Sequence, residues 1–170
     1  MKHTLQNVLP PLELVGVVEP VFTEHRKNVV VNDGVQPLRD TIESFIWQGY
    51  THFISGGALG MDTYAAETVL ELKKEYPEII LEMVSPFDEQ AAKWTPEYQR
   101  RHDQLFDQAD MVTATGHQYT KSSMFVRNRY LVDNADILLA AYDGQPGGTQ
   151  MTVKYARQMG IQVCCIKPVI

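Results

Sequence analysis

The sequence predicts an α/β fold, a Rossmann-like three-layer sandwich with a mostly parallel sheet and helices on both faces. Three observations predict it. Short apolar or β-branched runs alternate with amphipathic segments along the chain, the rhythm of strands joined by crossover helices. The runs end in glycine, proline or polar clusters. Two of these ends, Gly56-Gly57 and Gly147-Gly148, are glycine-rich and lead straight into a helical pattern. A length of 170 residues fits one domain over 1–170, enough for one continuous core. No repeat, low-complexity tract or linker divides it, and residues 1–13 read as an irregular N-terminal segment.

Taken in order, Leu14 to Phe22 reads as a strand interrupted at Pro20. Pro37 to Gln48 reads as a helix with Leu38, Ile42, Phe45 and Ile46 on one face and Gly49 as its stop. Tyr50 to Ser55 is a strand that runs into Gly56-Gly57-Ala58-Leu59-Gly60, and Asp62 to Glu75 is the helix that follows. Its apolar side holds Ala65, Ala66, Val69, Leu70 and Leu72, and Tyr76-Pro77 breaks it. Ile79 to Val84 is the next strand. Pro96 to Gln108 is a helix whose proline suits a first turn. Met111 to Thr115 is a short strand ending at Gly116, and Ser122 to Asn134 a helix. Ile137 to Tyr142 is the most apolar strand and reads as the sheet centre. Gln150 to Met159 is the last helix, closed by Gly160, and Gln162 to Ile166 the last strand.

Composition narrows the function. The net charge is −6, which argues against a broad duplex-DNA surface, since neutralising phosphates takes clustered Lys and Arg. A local basic pocket for one or two phosphates is compatible with it. The two cysteines, Cys164 and Cys165, are neighbours in an apolar run. They read as buried thiols of a reduced compartment. The amino terminus has no hydrophobic signal core, and no stretch has the apolar length to span a membrane. The expected location is the cytoplasm. His25, His52, His102 and His117 are scattered without zinc-site spacing, so no metal is expected.

Four places carry chemistry. Ser55 to Asp62 follows a strand and opens a helix. Glycines admit positive φ and close backbone approach, and a helix amino end offers free N–H groups to an anion. A tight strand-to-helix turn satisfies the same pattern. The spacing matches neither the dinucleotide fingerprint nor a P-loop. Asp143-Gly144-Gln145-Pro146-Gly147-Gly148-Thr149 repeats the arrangement, with Thr149 placed to cap a helix or to bond a phosphate oxygen. In an open parallel sheet both turns fall on the edge where ligands bind. Arg127-Asn128-Arg129 offers guanidinium groups, which grip phosphate with two hydrogen bonds. Adjacent helix positions diverge, so Arg127 is the ligand candidate and Arg129 a surface or structural residue. Ordinary ion pairs with Asp133 or Asp136 are the plain alternative. Thr23-Glu24-His25-Arg26 supplies a second phosphate option in Arg26. Asp62, Glu67 and Asp88 are candidate general bases, with Asp62 foremost because it sits directly after the glycine turn; helix-end charge complementarity explains Asp62 equally well.

The stretch Ser55 to Asp62 with Ala65-Ala66-Glu67, and the run Arg127 to Asp136 trailed by Tyr142-Asp143-Gly144 and Pro146-Gly147-Gly148-Thr149, resemble the YpsA/YoqJ-like branch of the SLOG superfamily. That superfamily also includes DprA, a single-strand DNA loader, and the LOG nucleoside phosphate hydrolases. The resemblance runs from about Phe22 to the last strand. It implies a Rossmann-like fold with a pocket for a nucleotide or an ADP-ribose or NAD-like ligand. The contacts it implies are Thr23, His25, Arg26, Gly56, Gly57, Asp62, Arg127, Gly147, Gly148 and Thr149.

Two departures from the family pattern matter. Glu24 stands where the pattern has glycine, adding negative charge beside a phosphate contact. Thr149 is followed by Gln150-Met151-Thr152, without the glutamate that assists LOG-type glycosidic cleavage. The leading expectation is therefore a module that senses or sequesters a nucleotide-like small molecule. A nucleotide N-glycosidic hydrolase using Asp62 or Glu67 stands second. A DprA-like nucleic-acid or protein-interaction module stands third, with homo-oligomers compatible with any of the three.

Overall fold

A computed structural model describes residues 12–15, 35–142 and 144–166. Among them the order is β1 (Leu12–Val15), α1 (Val35–Trp47), β2 (His52–Ser55), α2 (Met61–Leu72), β3 (Ile80–Ser85), α3 (Pro96–Gln108), β4 (Met111–Ala114), α4 (Ser123–Asp133), β5 (Ile137–Ala141), α5 (Gly148–Gln158) and β6 (Gln162–Ile166).

The six strands form one sheet in the order β4-β3-β2-β1-β5-β6, and every pairing is parallel. From β1 the chain winds outward through β2 and β3 to β4. It then returns to the other side of β1 for β5 and β6. The winding direction thus reverses between β1 and β5, and the connections leaving these strands part there. Such a reversal opens a crevice at the strand carboxyl ends.

Strand alternation sends side chains to opposite faces. On one face Phe53, Leu81, Met83, Ile137 and Leu139 pack under Leu38, Ile42, Phe45 and Ile46 of α1, Ala65, Ala66, Val69 and Leu72 of α2, and Leu105 of α3. On the other, Ile54, Val84, Leu138 and Ala140 pack under Leu131 and Val132 of α4 and Val153 and Ala156 of α5. This is the expected three-layer arrangement. Each large apolar side chain buried this way contributes roughly 1.5–3 kcal/mol by transfer from water.

Several sequence expectations move by a residue or two, and two are corrected. β1 begins at Leu12, because Leu12 already pairs with Phe53 and Ile137 on its two neighbours. α1 begins two residues before Pro37, which the first turn tolerates because its N–H groups lack helical partners. The strand expected at the sheet centre, β5, lies one place from the β6 edge. Its five residues are all buried because helices cover both faces, so its apolarity reports cover rather than position. The cysteines are not both buried. Cys165 is exposed and Cys164 half-buried, and both are free thiols, since β6 is an edge strand. Burial nevertheless pushes the Cys164 thiol up, with Cys165 beside it adding to the effect. Among the described residues no helix is long and apolar enough to cross a membrane.

Candidate functional site

The turn after β2 is built around a glycine that yields its space to an arginine. Arg127 on α4 is 2% exposed, and its guanidinium lies directly over Gly56. A Cβ added at Gly56 would stand 1.5 Å from Arg127 Nη1 and 2.9 Å from Asp62 Oδ2. Arg127 Nη1 is 3.5 Å from Asp62 Oδ2, and both side chains are buried. Asp62 Oδ2 also accepts the Ala58 N–H at 3.1 Å. Next door, Gly57 takes φ 65°, a left-handed conformation that favours glycine. A side chain there would also meet Phe106 at 3.0 Å and Met83 at 3.1 Å.

This first turn is closed on itself. The Gly57 N–H donates to Ser55 Oγ at 3.3 Å, and Ser55 Oγ donates to the Asp62 carbonyl at 3.0 Å. Thr63 Oγ1 donates to the Ala58 carbonyl at 2.9 Å. The amides of Gly57 and Ala58 are therefore engaged within the turn, and the cation lying over it is the Arg127 guanidinium. The N-cap of α2 is Gly60, with no side-chain cap, so Asp62 serves the turn and Arg127 rather than capping the helix.

After β5 the chain turns at two glycines with room around them. A Cβ at Gly144 or Gly147 would meet nothing within 4 Å. Gly147 is the N-cap of α5 without a side-chain cap bond, and Thr149 is buried in the first turn. The aligned peptide dipoles of a helix place a partial positive charge at this end. Neighbouring strands lie about 4.8 Å apart, so with β1 between β2 and β5 the two turns leave the sheet about 10 Å from one another.

One helix joins them. Arg127 reaches the first turn; the next residue, Asn128, reaches the second. Asn128 Nδ2 donates to Thr152 Oγ1 at 3.0 Å, and Thr152 Oγ1 donates to the Gly148 carbonyl at 3.2 Å. Arg129 points elsewhere. It lies over the Tyr155 ring at 4.5 Å and donates to the Tyr155 hydroxyl at 3.1 Å, while that hydroxyl donates to Asp133 at 2.6 Å.

The structure thus brings Gly56, Asp62 and Arg127 into contact, with Gly57 in the same turn, and sets Gly147, Gly148 and Thr149 on the same rim. It does not bring Glu67 there. Arg101 of α3 holds the Glu67 carboxylate with two hydrogen bonds of 2.9 and 2.8 Å, and this pairing raises the arginine's pKa. Asp88 is exposed beside His117. Thr23, His25 and Arg26, like Glu24 and Asp143, lie outside the described residues. A recess of about 220 Å³ is lined by Asp88, Glu89, Gln99, His102 and Asp103 among others; three carboxylates make it unsuited to a phosphate. Among the described residues no group of three or more His, Cys, Asp or Glu could hold a metal ion.

Two features escaped sequence reasoning. Gln90, in the β3–α3 connection, is buried and donates through Nε2 to the Gly56 carbonyl at 3.2 Å; no motif marks it. Glu82 of β3 is 3% exposed. Its Oε1 accepts from Thr113 Oγ1 at 2.7 Å and the Tyr130 hydroxyl at 3.0 Å. His52 Nε2 lies 3.0 Å from Oε2, off the line of a good hydrogen bond. The His52 imidazole first of all, with the Thr113 and Tyr130 hydroxyls, holds the Glu82 carboxyl below its ordinary range, against the opposing effect of burial. A lone Glu within an apolar strand was the available signal. Through Tyr130 this carboxylate anchors α4 one turn below Arg127.

Comparison with known proteins agrees with the fold and motifs. The YpsA family model, described as the YspA SLOG family, matches residues 21–167. A UPF0398 protein of Bacillus thuringiensis strain Al Hakam is 32% identical over 126 residues, covering 72% of this chain and 68% of its own. A UPF0398 protein of Bacillus cereus strain G9842 matches with the same identity and coverage. Among solved structures, DNA processing protein A (DprA) from Streptococcus pneumoniae superposes with a TM-score of 0.64 at 19% identity, over 92% of this chain and 50% of that one. DNA processing protein A from Helicobacter pylori, a structure concerned with its single-stranded DNA binding mode, gives a TM-score of 0.63 at 18% identity, over 92% of this chain and 64% of that one. At such identities the likeness to the two structures is one of fold, and the chain spans half the length of the first and less than two thirds of the second.

Proposed function

This chain belongs to the YspA SLOG family, and from that premise we propose that it binds a small nucleotide-derived anion at the rim between its two glycine turns. One observation carries the proposal. Adjacent residues of α4 tie into both turns, Arg127 over Gly56 and Asn128 through Thr152 to Gly148. A phosphate placed at the amino end of α5 would compete with Asp62 for the guanidinium. The Arg127–Asp62 separation of 3.5 Å is longer than the about 2.7–2.9 Å of a strong charge-assisted hydrogen bond, which favours exchange of one anion for another. The crevice at the winding reversal is where open α/β sheets take ligands.

Binding is favoured over turnover because the expected bases have other commitments. Asp62 serves Arg127 and the Ala58 N–H, and Glu67 serves Arg101. Holding a nucleic-acid polymer is disfavoured by the net charge of −6, since such binding rests on phosphate neutralisation.

Thermal unfolding against AMP, ADP-ribose, NAD and inorganic phosphate tests the proposal. A ligand at a hundredfold excess over its Kd stabilises by about 2.7 kcal/mol, a rise of about 5 °C or more for a chain of this size. The double variant Arg127→Met with Asp62→Asn, which removes both charges together, should abolish the rise. A flat response of the wild-type protein to every compound refutes the reading.

A further inference from the structure

Two side-chain carboxamides at this rim have each spent their NH₂ end and kept a buried oxygen without a donor. Gln90 is 6% exposed. Its Nε2 faces the Gly56 carbonyl oxygen at 3.2 Å, and because a carbonyl only accepts, the orientation of the amide is fixed. Oε1 of the same carboxamide is buried at the Gly56 turn with no hydrogen-bond partner. Asn128 repeats this at the second turn. The Thr152 hydroxyl gives its hydrogen to the Gly148 carbonyl, so toward Asn128 it accepts, and the group facing it is Nδ2. Asn128 Oδ1 is then the buried atom without a partner.

Buried polar atoms are nearly always hydrogen-bonded, so each exception calls for an explanation. Among the described residues the side-chain oxygens in this state are those of Gln90 and Asn128, two residues that brace the turns, and both are acceptors. The dianionic phosphate group of an ester has only acceptors to offer, and the one or two O–H groups of inorganic phosphate at neutral pH sit on a single ion too compact to serve two turns about 10 Å apart. Resting on the binding reading above, we infer that Gln90 and Asn128 select a ligand that carries O–H or N–H donors beside its anionic group. The class is a hydroxyl- or amino-bearing phosphate ester, a nucleoside or sugar phosphate, rather than phosphate or polyphosphate. Arg127 reads the charge, and the two carboxamide oxygens read the donors. A site built to pair a hydroxyl rejects the analogue lacking it, because its own polar atoms are then left buried and unpaired.

Isothermal titration of the wild-type protein with inorganic phosphate, ribose 5-phosphate and AMP tests the inference. Ribose 5-phosphate should bind about tenfold or more tighter than phosphate if sugar hydroxyls supply the donors. A gain confined to AMP assigns the donor to the base amine. Gln90→Met keeps the side-chain length and removes the acceptor together with the hydrogen bond to the Gly56 carbonyl. It should weaken the donor-bearing probe about tenfold more than it weakens phosphate. Equal affinity of the wild type for all three probes overturns the inference while sparing the binding reading. So does a Gln90→Met protein weakened equally toward all three, which marks Gln90 as a brace of the Gly56 turn and nothing more. If the variant does not fold, the wild-type series decides alone. Absence of binding by every probe removes the binding reading and this inference with it.

Discussion

Replacing Gly56 by alanine probes the seat of Arg127 with one methyl group. Gly56 is not among the glycines of positive φ, so alanine meets no backbone penalty there and the effect comes from the space alone. The new Cβ would stand 1.5 Å from Arg127 Nη1 and 2.4 Å from Cζ, and the guanidinium has to leave. Its departure breaks the ion pair of Arg127 with Asp62, which is 1% exposed. Breaking a buried ion pair costs about 3–5 kcal/mol. Loss of glycine freedom in the unfolded chain offsets about 0.4–1 kcal/mol. The net destabilisation is roughly 2–4 kcal/mol. For a chain of this size that lowers Tm by roughly 5–15 °C.

Urea denaturation of Gly56→Ala, Arg127→Met and the double variant measures the coupling directly. Once Arg127 is gone the methyl group's remaining close neighbour is Asp62 Oδ2 at 2.9 Å, the end of a side chain that can shift, so the second substitution should add little to the first. Residues in contact show interaction energies of about 0.5–3 kcal/mol, and this pair belongs at the upper end. Additive effects, or a Gly56→Ala protein within about 0.5 kcal/mol of wild type, refute the idea that this glycine exists to admit the guanidinium.

Two further outcomes follow from the side chains around the rim. Because folding lowers the Glu82 pKa beneath its unfolded value of 4.5, this group contributes stability that is fully present above that value and is lost as pH falls through the folded pKa. Glu82→Gln should flatten the acid limb of a urea-midpoint-against-pH curve relative to wild type; an unchanged limb would show that other groups set it. Glu67→Gln breaks a half-exposed pair with Arg101, should cost about 1 kcal/mol or less, and should leave the affinity for AMP untouched. A lost affinity in the titration would put Glu67 in the site after all.

What the sequence made legible is what repeats along a chain. The apolar periodicities of α1 and α2 and the runs of β3, β5 and β6 place those elements within a few residues, and α3 and β6 match residue for residue. The order of strands was less legible. β5 reads as central from its apolarity, but burial on two faces gives the same pattern one place from the edge. The thiol at Cys165 illustrates the converse, an apolar run on an edge strand that leaves a side chain exposed. At the site, the two glycine turns and the choice of Arg127 over Arg129 were readable, because neighbouring helical positions diverge. The partnership of Arg127 with Asp62, sixty-five positions apart, was not. It depends on how α4 lies across β2, which no local pattern encodes. Gln90 was invisible for the same reason, being a loop residue defined by what it touches.

The three successive residues Arg127, Asn128 and Arg129 have three separate destinations: Gly56, Thr152 and Tyr155. Each step along a helix turns the chain by about 100°. Adding or deleting a single position inside α4 ahead of this trio would therefore rotate all three away from their partners at once. The length of that segment is fixed by phase, whereas the loop ahead of it is held by contacts of His117 and Tyr119 with the β3–α3 connection that set no helical phase.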